Sequence, residues 1–260
     1  MTTTTSSDGA LIAYDQLGDG APVVIVAGAL GARGSNAGLA ELLAARYTVF
    51  NYDRRGRGDS GDTAPYAPER EVEDLAAVIA AAGGSASLFG SSSGGNLALA
   101  TARVADVSKL ALWEPNFVVD ASRAPLPPDY VATLERLVAE DRRGDAVAYF
   151  MTAAVGLPEA MVDQMRQATA WAAMESLAHT LAYDGAVVGD SMSGSPPAEA
   201  TWEAVKIPTL VLDGGATPWL TGGADAIAGA LVDARRQTLS GQTHDVSAEA
   251  LAPALSEFFG

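Results

Sequence analysis

The chain has 260 residues and a formal net charge of −16, with two lysines, Lys109 and Lys206, among its sixteen basic residues. No basic cluster is available to neutralise a run of phosphates, which argues against nucleic-acid binding. There is no cysteine and there are two histidines, His179 and His244, so disulfide, thiol and Cys-based metal chemistry are excluded and a His-based metal site is disfavoured. The length suits one domain with an insertion. The Thr/Ser-rich start, Met1–Gly9, lacks a basic stretch followed by an apolar run, and no segment reads as a membrane span. The expectation is a soluble cytoplasmic protein that needs no cofactor.

Leu11–Asp15 and the turn at Gly18-Asp19-Gly20 predict a first strand and a reversal. Val23–Ala27 is a β-branched run, the mark of a strand buried on both faces. A glycine-rich loop, Gly28–Gly38, and a helix over Leu39–Arg46 follow, then a strand over Thr48–Asp53 and a polar turn region, Arg54–Pro68. Glu69–Ala82 has helical spacing through Val72, Leu75, Ala76 and Ile79. Ala86–Phe89 reads as a strand, Gly95–Val104 as a helix and Lys109–Trp113 as another buried strand. Alternation with short links predicts a mostly parallel sheet wrapped by helices.

The rhythm breaks after Glu114-Pro115. From Asp129 to Ala186 only helical patterns occur: Tyr130–Glu140, Ala146–Ala154, Glu159–Thr169 and Ala172–Tyr183. A Gly/Ser/Pro-rich tract, Gly189–Pro197, closes the block. The strand rhythm resumes with Thr209–Asp213, a helix over Ala224–Leu231, a short strand at Gln237–Leu239 and a last helix over Ala248–Phe259. The division expected is a core of residues 1–115 and 203–260 with a helical cap of residues 116–202.

Two short segments carry chemistry. Gly28, Gly31 and Gly34 after a buried strand invite a dinucleotide reading, with Asp53 as the ribose-binding acid. The spacing is G-x-x-G-x-x-G rather than G-x-G-x-x-G, and neither lysine has a tyrosine four residues before it. A loop that merely lets the chain turn is the plain alternative; the favoured one is a loop offering a backbone N–H to an oxyanion. Gly90-Ser91-Ser92-Ser93-Gly94 fits Gly-x-Ser-x-Gly between a strand and a helix. On the five letters alone, a flexible Ser/Gly loop fits equally well. In strand–turn–helix context the central serine occupies a sharp bend at the amino end of a helix, where glycines avoid collisions and the helix dipole favours negative charge. A serine hydroxyl needs a base to act as a nucleophile near neutral pH, and a neutral imidazole is suited to that task. His244 lies outside the helical block; His179 sits inside a helical pattern and reads as structural.

With these marks together the chain resembles the α/β hydrolases, from about Leu11 to its end. Ala27-Gly28 resembles the His-Gly before that family's oxyanion loop, with alanine in place of histidine. Asp53-Arg54-Arg55-Gly56-Arg57-Gly58-Asp59-Ser60 resembles its Asp-x-Arg-Gly-x-Gly-x-Ser turn, a mostly structural device. Gly90–Gly94 supplies the nucleophile turn, and Gly241-Gln242-Thr243-His244 sits where the family places its histidine. The resemblance implies Ser92 as nucleophile, His244 as base, and the backbone N–H groups of Ala29 and Ser93 as oxyanion donors. The orienting acid departs from the commonest pattern: Thr217 stands where many members carry it, and threonine cannot stabilise an imidazolium by charge. Glu114 and Asp213 both remain available. Leu112-Trp113-Glu114-Pro115 resembles branches with the acid after the strand that follows the nucleophile's helix, among them zearalenone-type lactonases, and this favours Glu114.

Five of the six methionines, Met151, Met161, Met165, Met174 and Met192, fall in the helical block. Methionine adapts to irregular apolar shapes, whether in the block's own core or against a ligand. Trp113, Trp171, Tyr183 and Trp219 are candidates to line an apolar pocket. With no arginine cluster placed to hold an acidic substrate, a neutral, fairly apolar small-molecule ester or lactone is expected, cleaved through an acyl-enzyme. The alternatives are a non-hydrolytic or C–C bond-cleaving enzyme of natural-product metabolism, or a ligand-binding member without turnover. No nucleic-acid, membrane, metal or cofactor partner is expected, and the oligomeric state stays open.

Overall fold

A computed structural model of the chain describes residues 1–195 and 204–260. Eight strands form one sheet: β1 (Thr2–Thr5), β2 (Leu11–Leu17), β3 (Ala21–Val26), β4 (Tyr47–Tyr52), β5 (Ala86–Ser91), β6 (Val107–Trp113), β7 (Thr209–Asp213) and β8 (Ala234–Thr238). Their spatial order is β1-β2-β4-β3-β5-β6-β7-β8. The first two pairings, β1 with β2 and β2 with β4, are antiparallel, and the other five are parallel.

The β-branched run of β3 explains its central place. Val24 and Val26 join one apolar core and Val23 and Ile25 the other, as side chains alternate across a pleated strand. Helices α2 (Pro68–Ala81) and α3 (Ser93–Thr101) cover the first face, together with α9 (Pro218–Ala230). Helices α1 (Ala37–Leu43) and α10 (Ala248–Phe259) cover the second. Local signals set the ends of these helices. Pro68 opens α2 with Glu69 and Glu71 in its first turn, which suits a fixed φ and the positive end of the helix dipole. Ser247 caps α10, its hydroxyl accepting from the Ala250 N–H at 3.2 Å.

The chain passes from β3 to β4 on one side and then returns to place β5 on the other. The loops leaving β3 and β5 therefore diverge at a topological switch point, where open α/β sheets bind their ligands. The glycine loop and the Gly90–Gly94 turn are those two loops.

Between β6 and β7 every described regular element is helical: α4 (Tyr130–Ala139), α5 (Arg143–Tyr149), a π-helical turn over Phe150–Val155, α6 (Glu159–Met165), α7 (Ala170–Ser176) and α8 (Leu181–Val188), with short 3₁₀ turns on either side of α8. This insertion has its own core, built around Leu134, Val147, Trp171 and Leu181. Tyr183 on α8 stacks on Tyr66 of the sheet domain with ring centroids 3.8 Å apart, and its hydroxyl donates to Asp62 at 2.8 Å. The predicted boundary at residues 202 and 203, and the end of the Gly189–Pro197 tract, lie outside the described residues.

The structure departs from the sequence reading at several points. Thr2–Thr5 forms an edge strand that lacks apolar alternation and therefore gave no signal. The predicted helix over Ala172–Tyr183 is two helices broken at Leu177–Thr180. The helix predicted at Ala224–Leu231 begins six residues earlier, at Pro218. Among the described residues no helix is long and apolar enough to cross a membrane.

Candidate active site

Ser92 stands between β5 and α3 with φ 53° and ψ −130°, a conformation that side chains rarely adopt and that costs on the order of 1–3 kcal/mol. The flanking glycines make the corner possible. A Cβ on Gly90 would lie 2.5 Å from the Gly94 carbonyl oxygen, and one on Gly94 would lie 2.4 Å from the Val26 carbonyl oxygen. The β3 loop presses on the same corner: a Cβ on Gly28 would meet the Ser92 Cβ at 3.0 Å. Ala29 and Ser93 line one cavity with Ser92.

Glu114 also has a positive φ, 42°. It directly follows the last residue of β6 and is almost wholly buried. One carboxylate oxygen accepts the Gly214 N–H at 3.0 Å, and the other lies 2.7 Å from Nδ1 of His244. The ring is 42% exposed while the carboxylate is 1% exposed, so the pair joins a buried anion to an accessible imidazole. Asp213 is engaged elsewhere. It accepts from Thr221 at 2.6 Å and from Arg236 at 2.9 Å. Burial alone would raise its carboxyl pKa, but the bonds from Arg236 and Thr221 hold it below the usual carboxylate range. Thr217 stands at the residue before α9, where its side chain makes no capping bond, and lines the cavity.

The four aromatic residues divide. Trp219 and Trp113 line the cavity. Trp219 lies under the Arg123 guanidinium, 4.8 Å from its ring centre, and Trp113 also donates its indole N–H to the His244 carbonyl at 2.9 Å. Trp171 and Tyr183 are not among the lining residues. Trp171 packs in the insertion's own core and bonds Glu175, and Tyr183 faces Tyr66 and Asp62. Helical spacing marked both as buried without telling which neighbour covers them. His179 contacts the Gly56 carbonyl at 2.9 Å, away from the cavity lining. Of the five methionines in the insertion, Met151, Met165, Met174 and Met192 line the cavity, and Met161 is exposed.

Two residues at the site escaped the sequence reading. Asn116 accepts a hydrogen bond from the Ser92 hydroxyl at 3.0 Å. Asn96 holds it there, donating to its carbonyl at 3.1 Å and accepting from its N–H at 2.9 Å. Its place two residues after Glu114, at the same strand end, was the available signal. Asp184 lines the cavity from α8 and meets Arg54, Arg57 and Ser93. Burial would raise its pKa, yet the charges of Arg57 and Arg54 hold it below the usual range. These bonds agree with a structural reading of the arginine-rich turn. Among the described residues no group of three His, Asp or Glu side chains is arranged to hold a metal ion.

The cavity measures about 820 Å³. Its floor is the switch point, and its far wall comes from the insertion through Leu126, Tyr130, Phe150 and the methionines. An open α/β sheet with a strained serine corner and a histidine–carboxylate pair at its strand ends defines a class of α/β protein built for chemistry at those ends. The chain belongs to the alpha/beta hydrolase family, whose model matches residues 23–254.

Over the full length of both chains it is similar to an alpha/beta hydrolase of known structure from Sphaerobacter thermophilus, at 53% identity and a TM-score of 0.93. A thermophilic esterase from Thermogutta terrifontis is 23% identical with a TM-score of 0.73, covering 99% of this chain and 97% of its own. An enol-lactonase from Burkholderia xenovorans is 19% identical with a TM-score of 0.71, covering 99% of each chain. The last two likenesses are likenesses of fold. No curated protein matches the chain.

Proposed function

We propose that the protein is a serine hydrolase that cleaves a neutral, fairly apolar carboxylic ester or lactone through an acyl-enzyme, with residues 116–202 acting as a cap over the site. The observation that carries this reading is the 2.7 Å contact between Glu114 and His244 Nδ1, in a cavity that also holds Ser92. A carboxylate on Nδ1 fixes the ring tautomer, leaves Nε2 free as the base, and stabilises the imidazolium once it forms.

In the reaction, Ser92 Oγ attacks the acyl carbon as its proton passes to His244. The carbonyl π electrons move to oxygen, which the N–H groups of Ala29 and Ser93 receive. The C–O bond to the alcohol then breaks, and the alcohol leaves with the proton from His244. Water, deprotonated by the same imidazole, attacks the acyl-enzyme and releases the acid and Ser92. A lactone differs only in that the alcohol freed when the C–O bond breaks stays tethered to the acyl group, so that the product is a single hydroxy acid.

The walls support the substrate class. The described lining includes no arginine or lysine, and its surface is more apolar than polar, with methionine, leucine and aromatic side chains among the lining residues. Such a pocket favours apolar groups and offers no counter-charge to an acidic substrate.

The Ser92–Asn116 bond favours one second reading. In this conformation the hydroxyl proton points at an amide, and a chain in which it stayed there would bind ligands without turnover. One experiment separates the two. The wild-type protein should label at Ser92 with a fluorophosphonate and hydrolyse a nitrophenyl ester, and Ser92→Ala should do neither while keeping its fold. A wild type that neither labels nor turns over esters or lactones rejects the hydrolase reading.

A further inference from the structure

We propose that Asp184, a carboxylate from the insertion, is a positioning residue that holds both sides of the oxyanion cradle, so that the seating of the insertion and the competence of the site are one event. This rests on the serine-hydrolase reading and adds to it a coupling between recognition and chemistry.

Asp184 is 4% exposed. Its Oδ1 accepts from Ser93 Oγ at 2.7 Å, from Arg54 Nη1 at 2.8 Å and from Arg57 Nη2 at 2.9 Å, and its Oδ2 accepts from Arg57 Nη2 at 2.9 Å. The first contact holds the residue whose N–H is one donor of the cradle. The guanidiniums carry the restraint to the other side. Arg54 donates to the Ala27 carbonyl at 3.1 Å, and Arg57 donates to the carbonyls of Gly28 at 2.7 Å and Gly31 at 3.4 Å.

The Gly28 contact matters most. The Gly28 carbonyl and the Ala29 N–H belong to one peptide unit, which is planar, and in the trans form the two groups point in opposite directions. That oxygen also accepts the Gly31 N–H at 3.2 Å, and Arg57, the shorter of the two bonds, adds a side-chain restraint on the direction of the Ala29 N–H.

Charge explains why a carboxylate is needed. Arg54 and Arg57 are both fully or almost fully buried and converge on one point. Glu71 pairs with Arg54 at 2.6 and 2.8 Å, which leaves Arg57 dependent on Asp184. Without that anion the buried Arg57 has no counter-charge among the described residues and must shift or draw in water. Because Asp184 rides on α8, displacement of the insertion would break the bonds to Ser93, Arg54 and Arg57 together.

The test compares wild type, Asp184→Asn and Ser93→Ala in the full chain. The measurements are kcat and KM on a nitrophenyl ester, inhibition by an aryl trifluoromethyl ketone, and the melting temperature. The ketone forms a tetrahedral adduct whose oxyanion occupies the cradle. Loosening one donor without deleting it should lower kcat by about tenfold to a hundredfold in Asp184→Asn, and by a smaller factor in Ser93→Ala. KM should stay within about twofold to threefold, and ketone inhibition should weaken in step with kcat. A purely structural clamp would lower the melting temperature and leave kcat and ketone affinity of the folded enzyme unchanged, and that result overturns the proposal. If Asp184→Asn does not fold, Ser93→Ala, which keeps every ion pair, decides alone: an unchanged kcat and ketone affinity rejects the coupling. Loss of the hydrolase reading itself would show separately, as a wild type that is inert to the ester and to a fluorophosphonate.

Discussion

The indole of Trp113 donates to the backbone carbonyl of His244 at 2.9 Å, while the next residue, Glu114, holds the ring of the same histidine. One strand end therefore fixes both the loop that carries the imidazole and the orientation of the imidazole. Trp113 also lines the cavity, so its two edges serve different purposes.

Replacing Trp113 by Phe should keep most of the packing and lose the bond to His244. A lost intramolecular hydrogen bond costs about 0.5–1.5 kcal/mol, and more if the carbonyl is left buried and unpaired. The melting temperature should fall by a few degrees. Turnover should fall further than this loss of stability accounts for, because the ring's loop gains freedom. A variant with lowered stability and wild-type kcat at a temperature where it is fully folded would show that the loop needs no such support.

Glu114→Gln and Asp213→Asn should behave differently. Glutamine at 114 keeps the shape but offers an N–H₂ or a neutral oxygen to His244 Nδ1, which disturbs the tautomer and removes the charge behind the imidazolium. Loss of this kind has cost about 10⁴ in kcat in a serine protease. Asparagine at 213 would leave Arg236 without its buried partner, so that variant should lose stability and keep most of its turnover when folded. Rates measured beside thermal melts distinguish the two, and a larger loss of kcat in Asp213→Asn would move the acid from β6 to β7.

Asp184 should also show in the pH dependence of stability. Its folded-state carboxyl is held below the usual range, so the unfolded chain binds its proton at higher pH than the folded one. The stabilisation is then complete above the unfolded value of about 3.9 and is lost as pH falls through the lower, folded value. Denaturant unfolding of wild type and Asp184→Asn should therefore differ most at neutral pH, with the gap narrowing below about pH 4. A gap that stays constant from pH 7 to pH 3 would show that the carboxylate's charge is not what the arginines require.

The sequence made the sheet legible because its buried strands are continuous β-branched runs, as in Val23–Val26, and because the links between strands and helices are short. The serine corner was legible because Gly90 and Gly94 are demanded by contacts below 3 Å, a constraint that leaves its spacing in the chain. Glu114 was legible through its place at a strand end. Asn116 and Asp184 were not, since their partners, Ser92, Arg54 and Arg57, come together only when the sheet closes and α8 docks. Trp171 and Tyr183 were misplaced for a related reason: a helical period shows that a face is buried, but a core and a ligand wall leave the same pattern. Thr2–Thr5 escaped because an exposed edge strand needs no apolar face.

The insertion departs from the end of β6 and rejoins at β7, and these two strands are direct neighbours in the sheet. Its entry and exit thus share one hinge of scaffold, and the strand order is indifferent to what lies between them. Lineages could exchange or remodel this module without re-registering a single ladder, provided the replacement delivers an anion to Arg57. On the reading proposed above, diversity in what is recognised and constancy in how it is attacked would then evolve on separate parts of one molecule, joined at Asp184.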